Sequence, residues 1–215
     1  MLESVGRLVG ENRRPLLELF LGVLVPLCLF ALLAREVVHQ APPPWDVAVL
    51  TWIHAHASPA ADRVMIFASE IGTAYGLVPF SILFALWLLR RRDAAGFGFF
   101  TLSMLGTWAL NVATKQLFGR ERPALWPSPA PEQSFSFPSG HAMGSMSLAA
   151  ALGVLAWRTP YRWPVVAGGA AFTLLVSGSR LYLGVHYPTD VLGAWLASLA
   201  WVLGVRQILL ARAHR

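Results

Sequence analysis

Leu16–Ala34 reads LLELFLGVLVPLCLFALLA, 19 residues in which Glu18 is the one charge. A helix needs about 20 mostly apolar residues to cross the hydrocarbon core of a bilayer, so this stretch predicts a membrane span. It is longer than the apolar core of a secretory signal and no small-residue cleavage site in a polar stretch follows it, so it is expected to be retained. Five more segments qualify or nearly qualify: Gly72–Leu89, Ala95–Leu117, Ala142–Trp157, Trp163–Leu183 and Thr189–Leu210. The expectation is an all-α, integral membrane bundle of six transmembrane helices, forming one domain over residues 1–215. Ala142–Trp157 is the short member at 16 residues, and it needs either an extra turn or a locally thin bilayer.

Composition agrees, since 56% hydrophobic and 13% charged residues lie outside the soluble globular range. A net charge of +6 would suit nucleic acid, but the basic residues fall in short clusters between apolar runs. That pattern is a topology signal instead, because short cytoplasmic loops carry an excess of Lys and Arg. With the N-terminus inside, eleven basic residues are cytoplasmic: Arg7, Arg13, Arg14, Arg90, Arg91, Arg92, Arg158, Arg162, Arg206, Arg212 and Arg215. Six lie opposite: Arg35, Arg63, Lys115, Arg120, Arg122 and Arg180. Both termini are therefore expected in the cytoplasm, in the inner (plasma) membrane, with the loops after spans three and five on the periplasmic or extracellular face.

Smaller features close off other chemistries. Cys28 is alone in an apolar run, so neither a disulfide framework nor a thiolate metal site can be built. The proline-rich stretches Ala41–Pro44 and Pro123–Pro138 read as loops. Trp45–Ala57 has its apolar residues near helical spacing and predicts an interfacial helix between spans one and two. His54 and His56 on it are two residues apart and diverge on a helix, which makes them a poor metal pair. Glu70, an acid just before the second span, is a functional suspect.

Three polar clusters interrupt the apolar background. They are KQLFGRERP at Lys115–Pro123, PSGH at Pro138–His141 and SRLYLGVHYPTD at Ser179–Asp190. Span parity brings all three to one side of the membrane, the side opposite the N-terminus. Their spelling resembles the type 2 phosphatidic acid phosphatase family, whose tripartite signature is Lys-x6-Arg-Pro, Pro-Ser-Gly-His and Ser-Arg-x5-His-x3-Asp. Every signature position is matched between Lys115 and Asp190, and the first hundred residues rest on topology alone.

The chemistry suits the residue types. A phosphoryl group in transfer spreads negative charge over three oxygens, so catalysis is mostly positioning and electrostatic stabilisation. Lys115, Arg122 and Arg180 are the candidate phosphate binders, together with Ser139 and Gly140, whose backbone N–H groups open a helix N-terminus. The bland alternatives are basic side chains that snorkel to the interface and a Ser139 that merely caps a helix. Asp190 lies four residues after His186, hence on the same helix face, where its carboxylate can orient the ring. The resemblance implies that His186 is the nucleophile, Asp190 its support, and His141 the acid and then the base. It also implies a metal-independent reaction without cofactor. Arg120 lies outside the signature, and either a contact to a second phosphate or a solvated loop charge fits it.

The same signature resembles vanadium haloperoxidases and soluble class A acid phosphatases, and the six spans are what favour a lipid substrate over theirs. A non-enzymatic lipid-phosphate binder or transporter would need the cations but not His141, His186 and Asp190. Phosphoryl transfer to an alcohol remains open. The expected partners are the bilayer and a lipid phosphate, with no nucleic acid. Undecaprenyl diphosphate ranks first, ahead of phosphatidylglycerol phosphate, phosphatidic acid and a lipid A phosphate.

Overall fold

The computed structural model describes residues 13–38 and 42–213; Arg7, Arg215 and Ala41, named above, lie outside the described residues. Every regular element among the described residues is a helix. Helix α1 runs through Arg13–Leu19, a π-helical turn Phe20–Leu24, and Val25–Val38. The wider turn has a local cause, because Pro26 has no N–H to offer the carbonyl four residues before it. Then follow α2 (Pro44–His54), α3 (Pro59–Ile71), α4 (Leu77–Arg90), α5 (Ala94–Phe118), α6 (Gly140–Ala156), α7 (Arg162–Tyr182) and α8 (Pro188–Ala213).

Among the described residues, four helical stretches are long and apolar enough to cross a membrane: Leu16–Val38, Ala94–Phe118, Arg162–Tyr182 and Pro188–Leu209. Leu77–Arg90 and Gly140–Ala156 are apolar but shorter. Two expectations change. The second span does not begin at Gly72, because residues 72–76 form a turn stabilised by the bonds of Gly72 N–H to the Ala68 and Ser69 carbonyls. The segment before it is a helix of its own, α3, which starts at Pro59 behind an Ser58 cap whose hydroxyl accepts from Ala61 N–H. Its apolar stripe is interrupted by Asp62, Arg63 and Glu70, so it forms no long apolar run.

Helix α6 is the centre of the bundle, packed on α5, α7 and α8. Small residues allow this. A Cβ at Gly169 of α7 would lie 2.9 Å from the Ala149 Cβ of α6, so the two helices meet at van der Waals distance without branches between them. Leu148 and Ala151 of α6 join Phe99 and Phe100 of α5 and Val202 and Val205 of α8 in the main apolar core. Two polar pairings cross the helices there: Thr107 and Ser147 hydroxyls lie 2.7 Å apart, and the Trp201 indole donates to the Ser103 carbonyl. The outer faces stay apolar and exposed, as for Leu21 and Leu32 of α1 and Leu83 of α4, which is how a lipid-facing surface looks without lipid. Cys28 lies on that exposed surface too.

The α6–α7 crossing gives a matched test. Gly169→Leu should lower the thermal stability of the detergent-solubilised protein, by about 1–3 kcal/mol for an overpacked contact. Gly168→Leu, where an added Cβ meets nothing within 4 Å, should leave it nearly unchanged. Equal melting shifts for the two variants would show that the close approach is not what matters.

Candidate active site

The C-terminal end of α5, the N-terminal end of α6, the C-terminal end of α7 and the N-terminal end of α8 meet at one end of the bundle, and each contributes a charged or titratable group. Helix α5 stops after Lys115 because Gly119 takes a left-handed conformation (φ 56°) and closes the last turn on the Lys115 carbonyl. The loop of residues 119–139 then folds back over the bundle end. Gly184 serves the other loop in two ways: its φ is 67°, and the Trp126 indole packs where a Cβ would stand, 2.7 Å away. Trp126 also stacks on His54 at 3.9 Å between ring centres, tying the loop to α2. His54 is thus a packing residue here, while the His56 ring lies 2.8 Å from the Trp52 carbonyl.

At the centre of this end is a carboxylate that the sequence reading passed over. Glu132, from the proline-rich loop, accepts from Arg122 Nη2 at 2.6 Å with one oxygen and from Arg180 Nη2 with the other. The ring Nδ1 of His141 is 3.8 Å from that second oxygen. Ser134, two residues on, receives Lys115 Nζ at 2.8 Å and Arg122 Nη2 at 3.0 Å. Lys115, Arg122 and Arg180, separated by up to 65 positions in the chain, are therefore gathered around one loop anion. Burial alone would raise the Glu132 carboxyl, but Arg180 and Arg122 outweigh it and hold it below its ordinary 4.5.

His186 is fully buried and its hydrogen positions follow from its partners. Arg122 Nη1 lies 3.0 Å from Nε2, and a guanidinium can only donate, so Nε2 is an acceptor. The ring hydrogen is then on Nδ1, which points at Asp190 Oδ2, 3.3 Å away. Burial, reinforced by the Arg122 and Arg180 cations, keeps this ring well below its ordinary 6.5, hence neutral. A neutral imidazole with one nitrogen held by a carboxylate and the other bearing a lone pair toward a cationic cradle is the state that an attacking nitrogen needs.

His141 receives support from outside the three motifs. Ser69 of α3 lies with its hydroxyl 3.2 Å from His141 Nε2 and accepts from Arg180 Nη1. A hydroxyl that already accepts from Arg180 has its own hydrogen to give, so Nε2 is the accepting side and Nδ1–H faces Glu132. Ser139 is buried and caps α6, accepting from Ala142 N–H at 3.5 Å. Gly140 makes room for the Asn111 side chain, whose Oδ1 would be 3.0 Å from a Cβ. That is a close approach of protein to protein, where the sequence suggested protein to phosphate. Glu70, next to Ser69, is exposed.

Arg120 requires a correction. A solvated loop charge was one reading of it, yet its side chain is 1% exposed, its guanidinium bonded to Asp190, Asp46 and Thr189. The sequence signal for this was faint: Asp46 is a lone acid in an otherwise apolar helical stretch. No group of three or more potential metal-ligating side chains occurs among the described residues.

Comparison with known proteins fits this geometry. Residues 96–213, more than half of the chain, match the model of the PAP2 superfamily. The chain belongs to that family. It is 30% identical over 185 residues to phosphatidylglycerophosphatase B of Bacillus subtilis, covering 81% of this chain and 89% of that protein. It is 27% identical over 163 residues to an undecaprenyl-diphosphatase of Sulfolobus acidocaldarius, covering 74% and 75%. The crystal structure of a transmembrane PAP2-type phosphatidylglycerolphosphate phosphatase from Bacillus subtilis superposes with a TM-score of 0.76 at 25% identity, over 86% of this chain and 94% of that one. This PAP2 protein is a membrane lipid phosphatase, a hydrolase.

Glu132 gives a pH test. A carboxyl held below its unfolded value adds stability that is complete above that value and is lost as pH falls through the folded one. Docking of the loop should therefore persist at neutral pH and fail only below the ordinary glutamate range. Protection of residues 128–136 against hydrogen exchange, taken relative to the free-peptide rate at each pH, should be high at pH 7 and fall in acid, whereas Glu132→Gln should show little protection already at pH 7. Equal exchange in the two proteins at pH 7 would show that the ion pairs do not hold the loop.

Proposed function

We propose that this PAP2 phosphatase works through a phosphohistidine on His186, with the Glu132 carboxylate standing in for the substrate phosphate in the substrate-free protein. One observation carries this reading: a single anionic group is held at once by Arg122 and Arg180, beside His141 Nδ1 and the guanidinium that covers His186 Nε2. A phosphate entering there takes over the donors that Glu132 holds, and Arg122 moves from Nε2 to a phosphate oxygen. Nε2 then attacks phosphorus, the bond to the leaving oxygen breaks, and His141 in its protonated form gives that oxygen a proton. Asp190 accepts from Nδ1–H and offsets the positive charge that develops on the His186 ring. In the second half His141 takes a proton from water, the water oxygen attacks phosphorus, and the P–N bond breaks to free phosphate and His186. Lys115, Arg122, Arg180 and the α6 N-terminus with Ser139 and Gly140 neutralise the equatorial oxygens.

We read α4 and α6 as the two remaining membrane crossings, which makes six. At 1.5 Å per residue the 17 residues of α6 span about 26 Å, a few ångström short of a hydrocarbon core of roughly 30 Å, which a locally thin bilayer accommodates. In this topology α2 and α3 lie near the interface, both termini are cytoplasmic and the site faces the periplasm or exterior. The lipid keeps its tails in the bilayer and presents its phosphate at headgroup depth. Undecaprenyl diphosphate is the substrate put first and phosphatidylglycerol phosphate the second, in line with the names of the relatives. Phosphate release from these two lipids, phosphatidic acid, a lipid A phosphate and a water-soluble phosphoester ranks them.

The division of labour is tested on the histidines. His186→Ala should abolish both phosphohistidine formation and turnover. His141→Ala should lose about 10²- to 10⁴-fold, and less on a nitrophenyl ester whose leaving group departs without a proton. Labelled enzyme from His186→Ala but not from His141→Ala would exchange the two roles. Because the cradle supplies its own cations, turnover should survive EDTA and be inhibited by vanadate; loss of turnover in EDTA that added metal restores would overturn the metal-free scheme.

A further inference from the structure

Behind His186 lies a second layer of charge that no signature residue except Asp190 belongs to. Asp190 Oδ1 accepts from Arg120 Nη1 at 2.5 Å, and its Oδ2 accepts from Tyr187 N–H at 2.8 Å besides His186. The same Arg120 Nη1 donates to Thr189 Oγ1 at 2.7 Å, and its Nη2 donates to Asp46 Oδ2 at 3.2 Å. Asp46 Oδ1 accepts Thr189 N–H at 3.0 Å, and Oδ2 lies 2.5 Å from the Thr189 hydroxyl. Both oxygens of each aspartate accept from groups that can only donate, and Arg120 lies between the two, a pairing that favours the carboxylate form of both. All of these side chains are buried, and the Arg120 guanidinium lies 4.3 Å over the Tyr187 ring.

The charge count gives the layer its meaning. Arg120 and Asp190 alone would form a neutral buried pair, with nothing left over to face a positive ring. A second carboxylate on the far side of the guanidinium restores a net charge of minus one to the group, and His186 is the neighbour through which that charge acts. We propose that Asp46, on α2 and outside the region that carries the signature, is a positioning residue for His186: by occupying Arg120 it keeps Asp190 effective as the counter-charge of the reacting ring. The inference rests on His186 being the nucleophile. Asp46 touches no phosphate ligand, since Lys115, Arg122 and Arg180 bond elsewhere.

The test uses the full-length protein in detergent micelles with a diphosphate lipid substrate. Asp46→Asn keeps the shape and the acceptor for Thr189 N–H but removes the charge. Its kcat should fall about 10- to 100-fold, less than the roughly 10⁴-fold known for removing the charge directly on a catalytic histidine's partner. KM and inhibition by inorganic phosphate should stay within about twofold, because the cradle is intact. The decisive variant is Asp46→Asn with Arg120→Gln, which leaves Asp190 as the sole charge and should regain part of the lost kcat. A role confined to packing predicts the opposite, further loss on removing a second buried group, and that result overturns the proposal. Unchanged kcat in Asp46→Asn overturns it too. Should Asp46→Asn not accumulate in folded form, Asp46→Ser, which also removes the charge and can still accept from Thr189 N–H, is read in the same assay: a lower kcat at unchanged phosphate inhibition supports the proposal and an unchanged kcat sinks it. Quenching the wild-type enzyme during turnover separates the two levels, since absence of phosphohistidine at position 186 there fails the nucleophile assignment, whatever the Asp46 variants do.

Discussion

Three basic side chains cannot be gathered at the edge of an apolar bundle unless an anion sits among them. Taking cations out of water is costly, and their mutual repulsion adds to that cost in a medium of low dielectric. The bundle end of this PAP2 phosphatase is arranged around that constraint. Arg122 and Arg180 close on Glu132, and Lys115 on the neighbouring Ser134, so the chain itself places one carboxylate among the three cations. The loop that brings Glu132 is thereby held to the bundle end by the charges of Arg122 and Arg180.

Arginine also sets the state of the histidines, because a guanidinium donates and never accepts. Arg122 next to Nε2 forces the hydrogen of the His186 ring onto Nδ1, toward Asp190. Arg180 next to Ser69 directs that hydroxyl toward His141. The state of the two histidines is thus written in donor direction as much as in distance, and an exchange of Arg for Lys at either position would remove the fork that does it. This layer is held in place by close packing beneath it: α6 carries Ser139, Gly140 and His141 at its first turn, and the small residues at its contact with α7 fix how near Arg180 comes.

Much of this was readable along the chain. The apolar runs predicted helices, and five of the six expected spans coincide with observed helices to within a few residues, while the second begins later and frees a turn. The signature residues Lys115, Arg122, His141, Arg180, His186 and Asp190 do come together at one bundle end, as span parity required. What was not readable is which acids sit among them. Glu132 is one acid in a proline-rich loop, Asp46 one acid in a short helix, and Ser69 an unremarked serine, and none has a periodicity or spacing that marks it.

The sequence by itself determined the helices, the common end of the bundle at which the motifs emerge, and the residue types that phosphate chemistry needs, because hydropathy length and span parity are properties of the chain taken in order. Only the tertiary structure decided that Arg120 is buried between two carboxylates, that Glu132 fills the cationic cradle, and that Ser69 reaches His141. These are pairings across 48 to 111 positions of chain. They arise because a buried charge is stable only beside its partner, and which partner is near is settled by how the helices pack, not by their order along the chain.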